Sequence, residues 1–139
     1  MIFYLTLITF LRYYIIGMPR TEIVIYKERS GKVPLLQWMD RLPQKVKNKW
    51  TERFEDLEEY GYELDRPICA PLRDKIHELR VDRGRIHYRV LYTFVGQNIV
   101  LLSHGCYKKQ RVPETDINRA IQYRENYLSD PEAHRYIEE

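Results

Sequence analysis

Residues 76–105 read IHELRVDRGRIHYRVLYTFVGQNIVLLSHG. Two short turn signals, Asp82-Arg83-Gly84 and Gly96-Gln97, divide this stretch into three runs rich in β-branched and aromatic residues. Runs of that kind joined by tight turns predict an antiparallel meander, with strands expected over 76–81, 85–95 and 98–105. The middle run alternates. Ile86, Tyr88, Val90, Tyr92 and Phe94 fall on one face, and His87, Arg89, Leu91 and Thr93 on the other. The aromatic face is expected to meet the core and the other to stay wet, as an antiparallel sheet allows. Glu78 and Arg80 alternate together on the strand before, and His104 lies near the end of the strand after. Lys108, Lys109 and Arg111 follow where the chain leaves the sheet. The wet face is thus expected to collect Arg, His and Lys, with Tyr107 nearby. Because that face is read as exposed, Arg89→Ala is expected to leave the fold intact.

Upstream of the meander, Glu22–Lys27 reads as a first strand that ends at Ser30-Gly31. Leu35, Leu36, Trp38, Met39 and Leu42 have the spacing of a short amphipathic helix. Pro43 opens a second helix, on which Val46, Trp50, Phe54, Leu57 and Tyr60 recur at steps of three and four and so share a face. Gly61 suits its stop. Residues 62–75 read as a loop marked by Pro67 and Pro71. Pro113-Glu114-Thr115-Asp116 opens a last helix with Ile117, Ala120, Ile121, Arg124 and Leu128 on one side. The order is strand, helical hairpin, three-stranded antiparallel meander and C-terminal helix. It predicts one α+β domain with the helices packed on one sheet face.

The chain has 139 residues, 44% apolar and 31% charged, which suits one globular domain and excludes a disordered chain. The formal net charge of +3 says little, but its distribution says more. Residues 73–111 carry nine basic residues against three acids, a net of +6, while residues 112–139 carry three arginines against seven acids, a net of −4. A basic block beside an acidic tail suits a polyanion site, although composition alone equally suits a solvated charged face. Cys69 and Cys106 have no CxxC spacing, which argues against a disulfide framework or a zinc site and suits a reducing cytosol.

The first eleven residues are almost wholly apolar, but the run is too short for a membrane helix, which needs about 20 residues. It also lacks the basic start and small-residue cleavage site of a signal peptide. Residues 1–17 are read as an over-extended start, with Met18 as the true first residue and a membrane tether as the alternative. The domain is expected over residues 18–130, followed by an acidic tail, 131–139.

The residues gathered on the wet face are those that ribonuclease chemistry needs. Attack by a 2′-hydroxyl requires a base for its proton, an acid for the leaving 5′-oxygen, and cations for the crowded phosphate. The planar fork of arginine suits the phosphate, and aromatic rings stack on unpaired bases. Neither a metal nor another cofactor is required, and no acidic metal cluster is evident. Each residue also has an ordinary reading: Arg89 as an exposed strand residue, His104 as a satisfied sheet histidine, Lys108-Lys109 as a solvated pair, Tyr107 as a core anchor.

The segments Glu78-Leu79-Arg80, Tyr88-Arg89-Val90-Leu91-Tyr92 and Leu101-Leu102-Ser103-His104-Gly105-Cys106-Tyr107-Lys108-Lys109, followed by Pro113 and Ala120, resemble the phage-derived, HigB-like branch of the RelE toxin superfamily. The resemblance covers about residues 20–128 and rests on the order of the motifs more than on any one of them. It implies the toxin of a type II toxin–antitoxin system, a metal-independent endoribonuclease that cuts messenger RNA on the ribosome. It also implies a helix-turn-helix antitoxin as partner.

By that resemblance Arg89 is the arginine at the scissile phosphate and Arg80 is that of the E-L-R strand. Lys108 and Lys109 lie where relatives place a further basic catalytic or RNA-binding group. His104 and His87 are the acid/base candidates, because an imidazole titrates near neutrality. Tyr107 is expected to stack on a base or assist proton transfer, and Arg85 and Arg111 to contact RNA. The chain departs from the pattern in four places. Glu78 stands where RelE has a lysine, Cys106 interrupts the H-G-aromatic run, Val112 replaces a threonine, and no tyrosine follows the last basic segment. The alternatives are a non-catalytic RelE-fold module that binds RNA or protein, and a nuclease that needs no ribosome.

Overall fold

The computed structural model describes residues 21–138; the expectation for residues 1–17 lies outside the described residues. Strand β1 is Glu22–Ile25. Helices α1 (Pro34–Asp40) and α2 (Gln44–Tyr60) follow, then a 3-10 turn, Gly61–Glu63. Strands β2 (Cys69–Pro71), β3 (His77–Arg83), β4 (Ile86–Val95) and β5 (Ile99–Lys108) precede helix α3 (Glu114–Ser129). The sheet order is β1-β5-β4-β3-β2. The meander is antiparallel as expected, and β1 joins the far side of β5 in parallel. The architecture is α+β, a five-stranded mixed sheet with three helices, and is compatible with a RelE-like fold.

The helical hairpin covers the expected face. Val46, Trp50, Phe54 and Leu57 of α2 bury against Leu79, Val81, Tyr88, Val90, Tyr92 and Leu102 of the sheet. Tyr60, the last residue of that stripe, is instead exposed, because the helix ends there at Gly61, whose φ is +51°. Burying one side chain of this size contributes roughly 1.5–3 kcal/mol, so the four residues of this stripe contribute substantially to stability.

Three features differ from the sequence expectation. First, the helices do not share one face: α3 lies on the opposite side of the sheet. Ile117 and Ala120 pack on Ile76, Leu91 and Cys106, and Tyr127 packs on Val24, Tyr26 and Leu101. Those sheet residues are apolar or aromatic, so leaving their face wet would expose them to water. Tyr127, not Leu128, completes the inward side of α3, and Leu128 is exposed. Second, the stretch expected as a loop contains β2, which pairs with Leu79, Glu78 and His77. Third, residues 131–138 do not trail away as an acidic tail but return along β1. The Lys27 amide donates to the His134 carbonyl at 3.0 Å, and the Tyr136 amide to that of Ile25 at 2.8 Å. His134 stacks on Tyr26 with ring centroids 5.4 Å apart. This return covers an edge strand that would otherwise present open backbone groups. Among the described residues, no helix is long and apolar enough to cross a membrane.

Candidate active site

The ladder β3–β4–β5 sets the site. Residues that pair across neighbouring strands point to the same face. On the α3 side this gives three rows: Glu78, Leu91 and His104; Arg80, Arg89 and Cys106; Asp82, His87 and Lys108. Helix α3 covers the first row and reaches Cys106 in the second. The charged remainder lies toward the β3–β4 turn. That turn is the two-residue loop Gly84-Arg85, with Gly84 at φ +60°.

A β-bulge puts His104 and Lys108 in these rows. Leu91 pairs with His104 but Tyr92 pairs with Leu102, so Ser103 is an extra residue. An uninterrupted strand would turn Gly105 and Tyr107 toward Arg89, and His104 and Lys108 away. One inserted residue reverses that parity. Tyr107 therefore faces the helical hairpin. Its ring lies 5.7 Å from that of Trp38 and 5.5 Å from that of Tyr88, and it remains about half exposed.

Glu78 is the centre of the arginine pair. It accepts from Arg80 Nε at 3.0 Å and Nη2 at 2.8 Å through Oε1, and Arg89 Nε lies 3.3 Å from its Oε2. Glu78 and Arg89 are both buried, at 2% and 3% exposure. The exposed face expected around Arg89 is therefore corrected: a buried arginine needs a paired carboxylate, and Glu78 supplies it. The other side of Arg89 donates from Nη1 to the Tyr88 carbonyl at 2.9 Å and to Asp82 Oδ1 at 2.7 Å.

Asp82 Oδ1 also lies 2.9 Å from His87 Nδ1. Burial alone would raise the Asp82 carboxyl, but hydrogen bonds from Arg89 and His87, with their charge, outweigh it and hold it below the usual carboxylate range. Half-exposed Asp82 and His87 thus form the accessible part of the cluster, beside partly buried Arg80 and Lys108.

His104 is placed differently. It is buried beneath α3, with Nδ1 2.7 Å from Ser103 Oγ, Nε2 3.1 Å from Asp116 Oδ1, and the Tyr123 ring edge-on. Both ring nitrogens are engaged within the protein, so His104 stands apart from the accessible cluster. The neighbouring Cys106 thiol is pushed up to about 12 by burial, then by Asp116 and Glu78, and is not a nucleophile at neutral pH. Lys109 and Arg111 are exposed beyond β5, and Arg85 is exposed in the turn. These three surround the cluster without joining it.

Sequence reasoning missed Asp82, read only as a turn residue. The available signal was the hairpin register. A two-residue loop at Gly84-Arg85 makes Asp82 and His87 opposite neighbours, whereas a turn at Asp82-Arg83-Gly84 hides the pair. Among the described residues, no three His, Cys, Asp or Glu side chains cluster so as to hold a metal ion.

Residues 37–125 match the family model described as phage derived protein Gp49-like (DUF891). No curated protein matches the chain.

Proposed function

The chain belongs to the Gp49-like family of phage-derived, toxin-like proteins, and from that premise we propose that it is the toxin of a type II toxin–antitoxin pair. In this reading it is an endoribonuclease of the RelE type that cuts messenger RNA on the ribosome, in the cytoplasm. A helix-turn-helix antitoxin holds it inactive; the toxin-like family matched over residues 37–125 supports an antitoxin partner.

The observation that carries the reading is the convergence of Arg80, Arg89, His87 and Lys108 on one sheet face. In the proposed reaction a phosphodiester lies over Arg89 and Arg80. The 2′-hydroxyl loses its proton to a base, attacks phosphorus, and displaces the 5′-oxygen, which takes a proton from an acid. The products are a 2′,3′-cyclic phosphate and a 5′-hydroxyl. Lys108 and His87 are the proton-transfer groups within this face, and Arg85, Lys109 and Arg111 extend the cationic track for the backbone.

Arg89 begins the reaction with two carboxylates. The Glu78 contact is buried on both sides, and breaking such a pair costs about 3–5 kcal/mol. The Asp82 carboxylate is half exposed and can turn into water, which the buried Glu78 carboxylate cannot. A substrate phosphate therefore displaces Asp82 from Arg89 and leaves Glu78 in place as the anchor.

The test is to induce the protein in a bacterium and map messenger 5′ ends, then repeat the assay on purified RNA without ribosomes. Cuts at codon positions only in translated messenger are expected. Cuts without ribosomes would replace this reading with a self-sufficient nuclease. Folded protein with neither growth arrest nor cuts would leave a non-catalytic binding module.

A further inference from the structure

Asp82 uses one oxygen for two neighbours. Oδ1 lies 2.7 Å from Arg89 Nη1 and 2.9 Å from His87 Nδ1. The His87 side chain is 41% exposed, and among the described residues nothing bonds its Nε2. An ionised carboxylate only accepts hydrogen bonds, so a neutral imidazole beside it carries its proton on Nδ1. Nε2 then presents a lone pair outward, on the same face as Arg89 and Lys108.

We infer that Asp82 is a positioning residue that holds His87 in the Nδ1–H tautomer, so that Nε2 is the base for the 2′-hydroxyl while Arg89 holds the phosphate. This rests on the endoribonuclease reading above. His87 Nε2 takes the 2′-hydroxyl proton as the bond from the 2′-oxygen to phosphorus forms. The bond from phosphorus to the 5′-oxygen breaks, and that oxygen takes a proton from the Lys108 ammonium. Lys108 stands directly opposite His87 on β5. His87 then returns its proton to water, and Lys108 regains one.

The charged groups on the imidazole's side of the sheet are Asp82, Arg80 and Glu78 from β3, Arg89 from β4 and Lys108 from β5, with Arg85 in the turn beyond. Glu78, the other carboxylate of this face, is taken up by Arg80 and Arg89, so Asp82, which contacts the ring, is the group that selects the tautomer. The arrangement also links binding to catalysis. When phosphate takes Arg89 Nη1, Asp82 keeps only His87, and its whole charge bears on the ring that accepts the proton.

The test uses the full chain. Long-range 1H–15N NMR reads the neutral tautomer of His87. Nδ1–H is expected in the wild type and in Asp82→Asn, whose side-chain oxygen still accepts, and Nε2–H in Asp82→Ala. In cleavage assays Asp82→Ala is expected to lose about 10²-fold in kcat, the scale of one proton-transfer group. KM should stay unchanged or fall, because Arg89 is freed for phosphate. Asp82→Asn should restore part of kcat, and Asp82→Ala should cost nothing further in a His87→Ala background.

An Nε2–H tautomer in the wild type, or additive losses in the double variant, would overturn the role of Asp82 and leave the endoribonuclease reading standing. Faster cleavage by Asp82→Ala would mean that Asp82 only blocks Arg89. A wild type that cuts no RNA on or off the ribosome would overturn the endoribonuclease reading, and this inference with it, whatever the tautomer.

Discussion

Arg80 and Arg89 are direct partners across the β3–β4 ladder, and both guanidinium groups close on Glu78. Like charges placed opposite each other destabilise a sheet, so the pair persists only because a carboxylate lies within reach of both. A lysine in place of Glu78, as the resemblance to RelE would have it, would add a third cation to the cluster.

Glu78→Gln is therefore expected to destabilise the fold by roughly 3–5 kcal/mol, since it removes the buried carboxylate that two arginines share and leaves Arg89 only the half-exposed Asp82. Urea unfolding at neutral pH measures this. A change of under about 1 kcal/mol, the level of a surface pair, would mean that Arg89 is solvated in solution and not held by Glu78.

Burial changes how the arginine is tested. Arg89→Ala removes one of the two arginines that balance buried Glu78, leaving it Arg80 alone, and is expected to lower stability by up to about 3–5 kcal/mol, so loss of toxicity in that variant does not separate chemistry from folding. Lys108→Ala is the cleaner probe. Its side chain is partly exposed, and stability should stay within about 0.5 kcal/mol. Growth arrest and messenger cleavage should be strongly reduced. Full toxicity from normally folded Lys108→Ala would remove Lys108 from the active site.

The meander was legible because each of its signals is local: two glycine turns and one run of strict alternation. The hairpin of α1 and α2 was legible for the same reason, its stripe from Val46 to Leu57 repeating over three turns. The active face was only half legible. Alternation within 85–95 placed His87 and Arg89 together, but nothing local marks Ser103 as a bulge, and one extra residue decides whether His104 and Lys108 or Gly105 and Tyr107 join them. Likewise, Leu91 and Cys106 on the nominally wet face were a visible sign that it needed cover. Their cover came from α3, more than 20 residues beyond Leu91 in sequence, which periodicity within one strand does not report.

His77 and Asp82 are expected to contribute to the acid sensitivity of the fold in separate pH windows. His77 is half buried, its ring 5.2 Å from that of Tyr92, and burial lowers its pKa. Below the unfolded value of about 6.5 the unfolded chain binds more protons than the native one, so stability falls with pH until the folded pKa is passed. Asp82 has a depressed folded pKa. Its contribution is present above the unfolded value of about 3.9 and is lost as pH falls through the folded value. Urea midpoints measured from pH 7 to 3 should therefore show His77→Gln flattening the upper limb and Asp82→Asn the lower. Curves that run parallel to the wild type would refute both assignments.

Gly105 tests the packing that aims the strand. A Cβ built there would lie 2.0 Å from Trp38 Cδ2 and Cε3, a separation that no real contact sustains. The backbone at Gly105 is not in the left-handed region, so the constraint is steric and not conformational. Trp38 has little freedom to yield, since its ring already meets those of Trp50, Tyr88 and Tyr107 at 6.0, 6.3 and 5.7 Å. Gly105→Ala is expected to cost about 1–3 kcal/mol, the usual range for overpacking, with a shift in tryptophan fluorescence. In a Trp38→Ala background the same change should cost under about 0.5 kcal/mol, because sites that share a contact are not additive. An equal cost in both backgrounds would show that the glycine answers to the backbone of β5. The turn of Tyr107 toward the hairpin would then depend on the Ser103 bulge alone.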